Sequence, residues 1–231
     1  DTLLVPTDFS EVSACALDHA IEIARIFQHK ICLLHVTSRA ASDKDQAVMK
    51  RAELEGMADE IAAETGLKVS YRLEEGNFFA IIKSMAERML AEFIVIGVHG
   101  SRGYERFRSS HAYKVVCEAN IPVLVVKHKH HHQGYKNIVV PIDFSQKSIQ
   151  KISQAIRFGK YFNACIRVFG FLSDENKARI IKKEALLKSV NDVFRSEGIN
   201  VSTHLVVHPD FDWTDALMHY AEDLNADLIM I

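Results

Sequence analysis

Residues 4–10 read LVPTDFS and residues 139–145 read VVPIDFS. The same offset of 135 aligns AERMLAEFIVI (86–96) with AEDLNADLIMI (221–231). It also aligns Ser13 with Ser148, Ala20 with Ala155, Phe27 with Phe162 and Ile31 with Ile166. One offset held over about 90 residues means that a single architectural unit is written twice, with little net insertion. The division this implies is a first unit over 1–127, a His-rich linker over 128–135 and a second unit over 136–231. The second copy reaches only Ile231, the counterpart of Ile96, and is expected not to complete its own sheet.

Working outward from LVPTDFS, Leu3-Leu4-Val5 reads as a short buried strand and Pro6-Thr7-Asp8 as a turn. Ser10 is placed to cap a helix with Leu17, Ala20, Ile21, Ala24 and Phe27 on one face. Ile31–Val36 is a second strand. Residues 43–65 form a long helix with Leu54, Met57, Ala58 and Ile61 as its stripe and Gly66 beyond its end. Val69–Leu73 is a third strand, followed by a helix carrying Phe78, Ile82, Met85 and Met89 on one face. Phe93–Ile96 is a fourth strand. A helix with Ala112, Val115, Val116 and Ala119 and a last strand, IPVLVV (121–126), close the unit.

Strands rich in Val, Ile and Leu without alternation are buried on both faces, as in parallel sheets. The fold class is therefore α/β: two repeated, doubly wound, Rossmann-like units, each an open five-stranded and mostly parallel sheet, the second incomplete. Ligands of such sheets bind beyond the carboxyl ends of the strands, where the strand order reverses. Segments 6–10 and 97–110 both leave strands at that edge.

Segment 97–110, GVHGSRGYERFRSS, carries glycines at Gly97, Gly100 and Gly103 and arginines at Arg102, Arg106 and Arg108. Glycines between a buried strand and a helix let backbone N–H groups turn toward an anion, and the helix N-terminus adds partial positive charge. Ser109 and Ser110 can cap that helix or donate hydroxyls. Phosphate is the natural occupant; a tight structural turn with Ser caps is the competing reading. The segment is neither a Walker A loop nor a G-x-G-x-x-G.

VPTDFS after the first strand, LLHV closing the second and GVHGSRG leading to IPVLVV together resemble the universal stress protein family, in a tandem two-unit form. The family's nucleotide-binding members carry Gly-x-x-Gly, nine residues, then Gly-Ser or Gly-Thr. Gly97 and Gly100 fit, His99 stands where a His is common, and nine residues follow; the next pair is Ser110-His111. The resemblance implies ATP or AMP as ligand, with Mg²⁺ as a candidate companion. It implies that Asp8 accepts a hydrogen bond from the ribose or adenine, that Pro6 and Thr7 beside it belong to the nucleotide site, and that the backbone at Val36 meets the adenine edge. Gly97, His99, Gly100, Ser109, Ser110 and His111 would surround the phosphates. It also implies a pseudo-dimer in which the last strands of two units pair, and a homodimer beyond that.

Asp8 recurs as Asp143. For Asp8 the ligand reading stands beside an Asx-turn or helix-cap reading; Asp143 reads as a cap. His128, His130 and His132 alternate in KHKHHH (127–132) and are weak metal candidates against a solvated linker. KARIIKKEALLK (177–188) reads as a solvated amphipathic helix.

Lys plus Arg is 28 and Asp plus Glu is 30, a net charge of −2 that offers no global field for nucleic acid or an anionic membrane. Cys15, Cys32, Cys117 and Cys165 form no C-x-x-C pair and read as small buried apolar groups in a reducing compartment. With no bilayer-length apolar run and no secretory leader, the expected location is the cytoplasm. No Ser-His-Asp set, paired acid or H-E-x-x-H stands in a catalytic setting. The functional reading is a stress-response regulator that binds an adenine nucleotide. The alternatives are a degenerate member acting only as an interaction module and, at most, a weak ATPase.

Overall fold

A computed structural model describes residues 1–37, 44–98, 111–127, 134–143, 147–210 and 212–231. The chain divides into two compact units, Asp1–His132 and Gln133–Ile231. The first comprises β1 (Thr2–Pro6), α1 (Glu11–Phe27), β2 (Lys30–Thr37), α2 (Lys44–Thr65), β3 (Val69–Glu75), α3 (Phe78–Arg88), β4 (Ala91–Val98), α4 (His111–Glu118) and β5 (Val123–Lys127). Its sheet has the order β3-β2-β1-β4-β5 and every pair is parallel.

That order follows from handedness. Right-handed crossovers from β1 to β2 to β3 put α1 and α2 on one face. The chain then returns past β1 and adds β4 and β5 in the opposite direction, so α3 and α4 fall on the other face. Leu4, Cys32, Leu34, Ile94 and Ile96 accordingly pack with Ile82 and Met85 of α3 and Val115 of α4. The alternate residues Leu3, Val5, Ile31, Leu33 and Val95 are equally buried. A strand covered on both faces has no polar face, which is why these segments read as unbroken apolar runs.

Helix ends are set locally. Ser10 accepts a hydrogen bond from Ser13 N, and Asn77 accepts from the N–H groups of Phe79 and Ala80 at the start of α3. In α1 the buried row is Val12, Ser13, Ala16, Leu17, Ala20, Ile23 and Ala24. Ile23 thus takes the core place expected of Ile21, because it lies three residues beyond Ala20 on the side that packs against β4. β5 begins at Val123, two residues later than its apolar run, because Pro122 has no N–H to donate; its carbonyl still accepts from Ile94 N at 3.0 Å. Cys32 is buried, and burial pushes its thiol pKa up. Cys15 and Cys165 are only half-buried, a departure from the expectation for all four cysteines, and the Cys117 side chain lies outside the description.

The second unit comprises β6 (Asn137–Pro141), α5 (Lys147–Phe162), β7 (Cys165–Leu172), α6 (Lys177–Ser196), β8 (Val201–Val207), α7 (Trp213–Asp223) and β9 (Leu228–Ile229). Among the described residues its strands are parallel in the order β8-β7-β6-β9, matching β3-β2-β1-β4 of the first unit. The offset of 135 relates β1 to β6, β2 to β7 and α3 to α7. At the third strand it is 132, since Val69 opens β3 and Val201 opens β8. The second unit has a shorter helix before that strand and a longer loop after it.

The tightest approach in the first unit lies between β4 and the first turn of α1. A Cβ on Gly97 would stand 2.5 Å from Val12 O and 2.7 Å from Val12 Cγ1. Gly97→Ala is therefore expected to lower stability by about 1–3 kcal/mol in urea denaturation. Gly56→Ala, in α2 with nothing within 4 Å of the added methyl, is expected to raise it by about 0.5–1 kcal/mol.

Candidate functional site at the carboxyl edge of the first sheet

β1 ends at Pro6, paired with Leu34, whereas β2 continues to Thr37 and β4 to Val98. The central strand is the shortest of the three at this edge, and the crevice above it is the switch point between β1 and β4. Main-chain direction along β2 alternates. Ile31 N donates to Lys68 O and Thr37 O accepts from Gly76 N, so odd residues face the β3 side. Thr7 N donates to Leu34 O at 2.8 Å, so even residues face β1. The N–H and C=O of Val36 therefore point to the β1 side beyond the end of β1.

The turn into α1 is held by a relay of hydroxyls. Thr7, which is buried, donates from Oγ1 to Ser13 Oγ at 3.1 Å and accepts at the same oxygen from Phe9 N. Ser13 Oγ donates to Ser10 O at 2.8 Å. Asp8 is exposed; its Oδ1 accepts from Ser10 N at 3.0 Å and from the Ser10 hydroxyl. Phe9 sits at φ 64°, a left-handed conformation uncommon for an aromatic residue, and these bonds on either side hold it there.

Two residues that sequence reasoning did not assign to the site stand on the same rim. His35 Nδ1 lies 2.7 Å from Thr7 O; a carbonyl only accepts, so Nδ1 carries the proton. The His35 ring packs on Phe9 with centroids 4.7 Å apart, and the Lys50 ammonium lies 4.0 Å from the Phe9 ring centroid on its face. His35 belongs to the LLHV segment. Lys50 carries no sequence signal: it is a half-buried lysine one turn before the buried Leu54 of α2, and it also pairs with Glu53 at 3.3 Å.

Pro6, Thr7, Asp8 and Val36 thus meet at one edge, with Thr7 turned into the helix turn. Gly97 and Val98 belong to β4, paired with Val126 and Lys127, and do not open the loop. Gly97 has a packing reason to lack a side chain. His99, Gly100, Ser109 and Ser110 lie outside the described residues, as do His128, His130 and His132. His111 opens α4, and its side chain is outside the description.

The equivalent edge of the second unit is built differently. Ile142 stands in place of Thr7 and keeps the strand bond, donating to Phe169 O at 2.8 Å. Lys151, from α5, donates to Pro141 O at 2.8 Å, and the buried Lys183, from α6, donates to Ile142 O at 2.7 Å. Lys151 aligns with Ala16, which is fully buried in the first unit. Burial pushes both ammonium groups below the ordinary lysine value, and the nearby Asp143 carboxylate offsets part of that for each.

The sequence profile of the Universal stress protein family matches residues 1–127. Universal stress protein MJ0531 of Methanocaldococcus jannaschii is 31% identical over 143 residues, covering 54% of this chain and 81% of that protein. The chain belongs to the universal stress protein family. A universal stress protein from Archaeoglobus fulgidus aligns over 99% of this chain and 85% of its own, with a TM-score of 0.79 at 23% identity. A functionally unknown protein of Pseudomonas aeruginosa, PA1789, aligns over 99% and 80% with a TM-score of 0.70 at 20% identity. Both likenesses extend over two units, and at such identities they concern the fold. Among the described residues of this family member, no helix is long and apolar enough to cross a membrane.

The lysine-filled edge has a pH signature. The unfolded chain binds a proton at Lys183 more tightly than the folded one. Stability of the second unit therefore rises with pH between the lowered folded value and 10.5. Lys183→Met is expected to flatten that rise. Urea unfolding followed through Trp213, the single tryptophan, between pH 7 and 10.5 is the measurement.

Proposed function

We propose that the carboxyl edge of the first unit's sheet binds an adenine nucleotide, ATP or AMP, and that the protein is a nucleotide-responsive stress regulator. The observation that carries this reading is the direction of the Val36 main chain. An adenine edge needs a donor and an acceptor side by side, and a strand that outruns its neighbour offers that pair. In this reading Asp8 accepts from the ribose, and Pro6 and Thr7 shape the floor. The phosphates run toward Gly97, His99, Gly100, Ser109, Ser110 and His111, helped by the N-terminus of α4. Lys50 adds a cation on the Phe9 side of the rim. Bound nucleotide stabilises the folded first unit by linkage and biases the conformation of the loop that meets the phosphates.

A second reading, an interaction module without nucleotide, is favoured by the Asp8 carboxylate. Its Oδ1 already serves Ser10, and Ser110-His111 stands where the family's binders carry Gly-Ser or Gly-Thr. Calorimetric titration with ATP and with AMP, with and without Mg²⁺, separates the two. Saturable binding, weakened in Asp8→Asn and abolished in Gly100→Val, is expected. Folded wild-type protein that takes up neither nucleotide at millimolar concentration overturns the reading in favour of the interaction module.

A further inference from the structure

The opposite, amino edge of the first sheet gathers one imidazole and two carboxylates. One ligand atom each from Asp1, His29 and Glu92 lies within 4.8 Å of the others. Each comes from the start of a different strand, and backbone geometry brings each one in. Asp1 precedes β1, and its carbonyl accepts from Lys30 N at 2.9 Å, which holds it beside the start of β2. His29 follows Gln28, whose left-handed φ of 56° ends α1; His29 N donates to Ala24 O at 3.0 Å, and its buried ring stacks on Phe27 with centroids 5.7 Å apart. Glu92 is the extra residue of a β-bulge: Thr2 pairs with Ala91 and Leu3 with Phe93. A bulge re-aims the side chain it carries. Glu92 Oε2 stands 2.9 Å from His29 Nε2, with the two side chains 17% and 5% exposed.

The second unit shows what the fold itself requires at this place. Ile138 pairs with Leu228 there, the same register as Leu3 with Phe93. Asp227 holds the position of Glu92, and its Oδ2 accepts from Lys136 N at 2.8 Å and Asn137 N at 2.7 Å. Lys136 stands for Asp1 and Ala164 for His29. The architecture is thus satisfied by one carboxylate bound to main-chain amides. The first unit instead turns its carboxylate to a buried imidazole and adds a second carboxylate.

We propose that Asp1, His29 and Glu92 bind a divalent first-row transition cation, such as Zn²⁺, through the imidazole Nε2 and one oxygen of each carboxylate. One nitrogen and two oxygens form a borderline donor set suited to such ions. Tetrahedral Zn²⁺ with bonds of about 2.0–2.1 Å holds its ligand atoms about 3.3 Å apart. The 2.9 Å contact and the 4.8 Å limit of the cluster bracket that spacing. The ion ties together the starts of β1, β2 and β4, at the edge away from the proposed nucleotide crevice.

Zn²⁺ titration by calorimetry at pH 7, without nucleotide, tests this in a chain with His128, His130, His131 and His132 all replaced by Asn, which removes the other imidazole-rich segment. One ion per chain is expected, with affinity falling at least about tenfold in Asp1→Asn and in Glu92→Gln. Zn²⁺ is also expected to raise the thermal midpoint of the parent and not of the variants. Because Asp1 is exposed, Asp1→Asn decides the matter even if the Glu92 variant folds poorly. No saturable binding by the folded parent, or unchanged affinity in Asp1→Asn, overturns the proposal and leaves a His29–Glu92 contact.

Discussion

The carboxyl edge of the first unit's sheet depends on where β1 stops. It is flanked by β2 and β4, and both run past it. Had β1 continued, the main-chain groups of Val36 would have been absorbed by a ladder, as the Leu34 carbonyl is by Thr7 N. Pro6 gives the strand a last residue that cannot donate, and Thr7 adds one final bond before the chain turns away. A reversal of strand order supplies a crevice in any doubly wound sheet; the early end of the central strand decides that this one is lined with directed backbone.

The turn that ends β1 is over-determined. Thr7, Ser10 and Ser13 bond one another and the backbone, Asp8 binds Ser10, and together they hold Phe9 in a left-handed conformation. Gly97 admits the first turn of α1 against β4, so the helix that borders the crevice is seated by an absent side chain on the strand that also borders it. These restraints pre-form the edge, which reduces the ordering that a ligand would otherwise have to impose.

The two units show how one backbone carries different chemistry. At the carboxyl edge, a neutral hydroxyl relay in the first stands against two lysine ammonium groups on strand-end carbonyls in the second. At the amino edge, a carboxylate facing an imidazole stands against a carboxylate capping two amides. Shared register with unlike side chains separates what the fold needs from what each unit adds.

The repeat, the order of elements, the Ser10 cap and the parallel character of the sheet were legible in the sequence, because each rests on local pattern: an offset, a period, a capping residue, an apolar run without alternation. Asp8 was legible as a carboxylate at the carboxyl edge of the sheet, with both of its readings. The three-residue shift around β8 was not, since compensating changes in helix and loop length leave the flanking offset intact. Nor was the packing reason for Gly97, which lies in a helix 85 positions earlier, at Val12. Thr7 and Ser13, Phe9 and Lys50, and His29 and Glu92 pair across distances in the chain that no spacing rule covers. By itself the sequence determined which segments become strands and helices and that they form one unit twice. Only the tertiary structure decided which side chains meet at each sheet edge, because parallel strands align residues remote in sequence through bulges, strand ends and close approaches that exist only once the sheet is assembled.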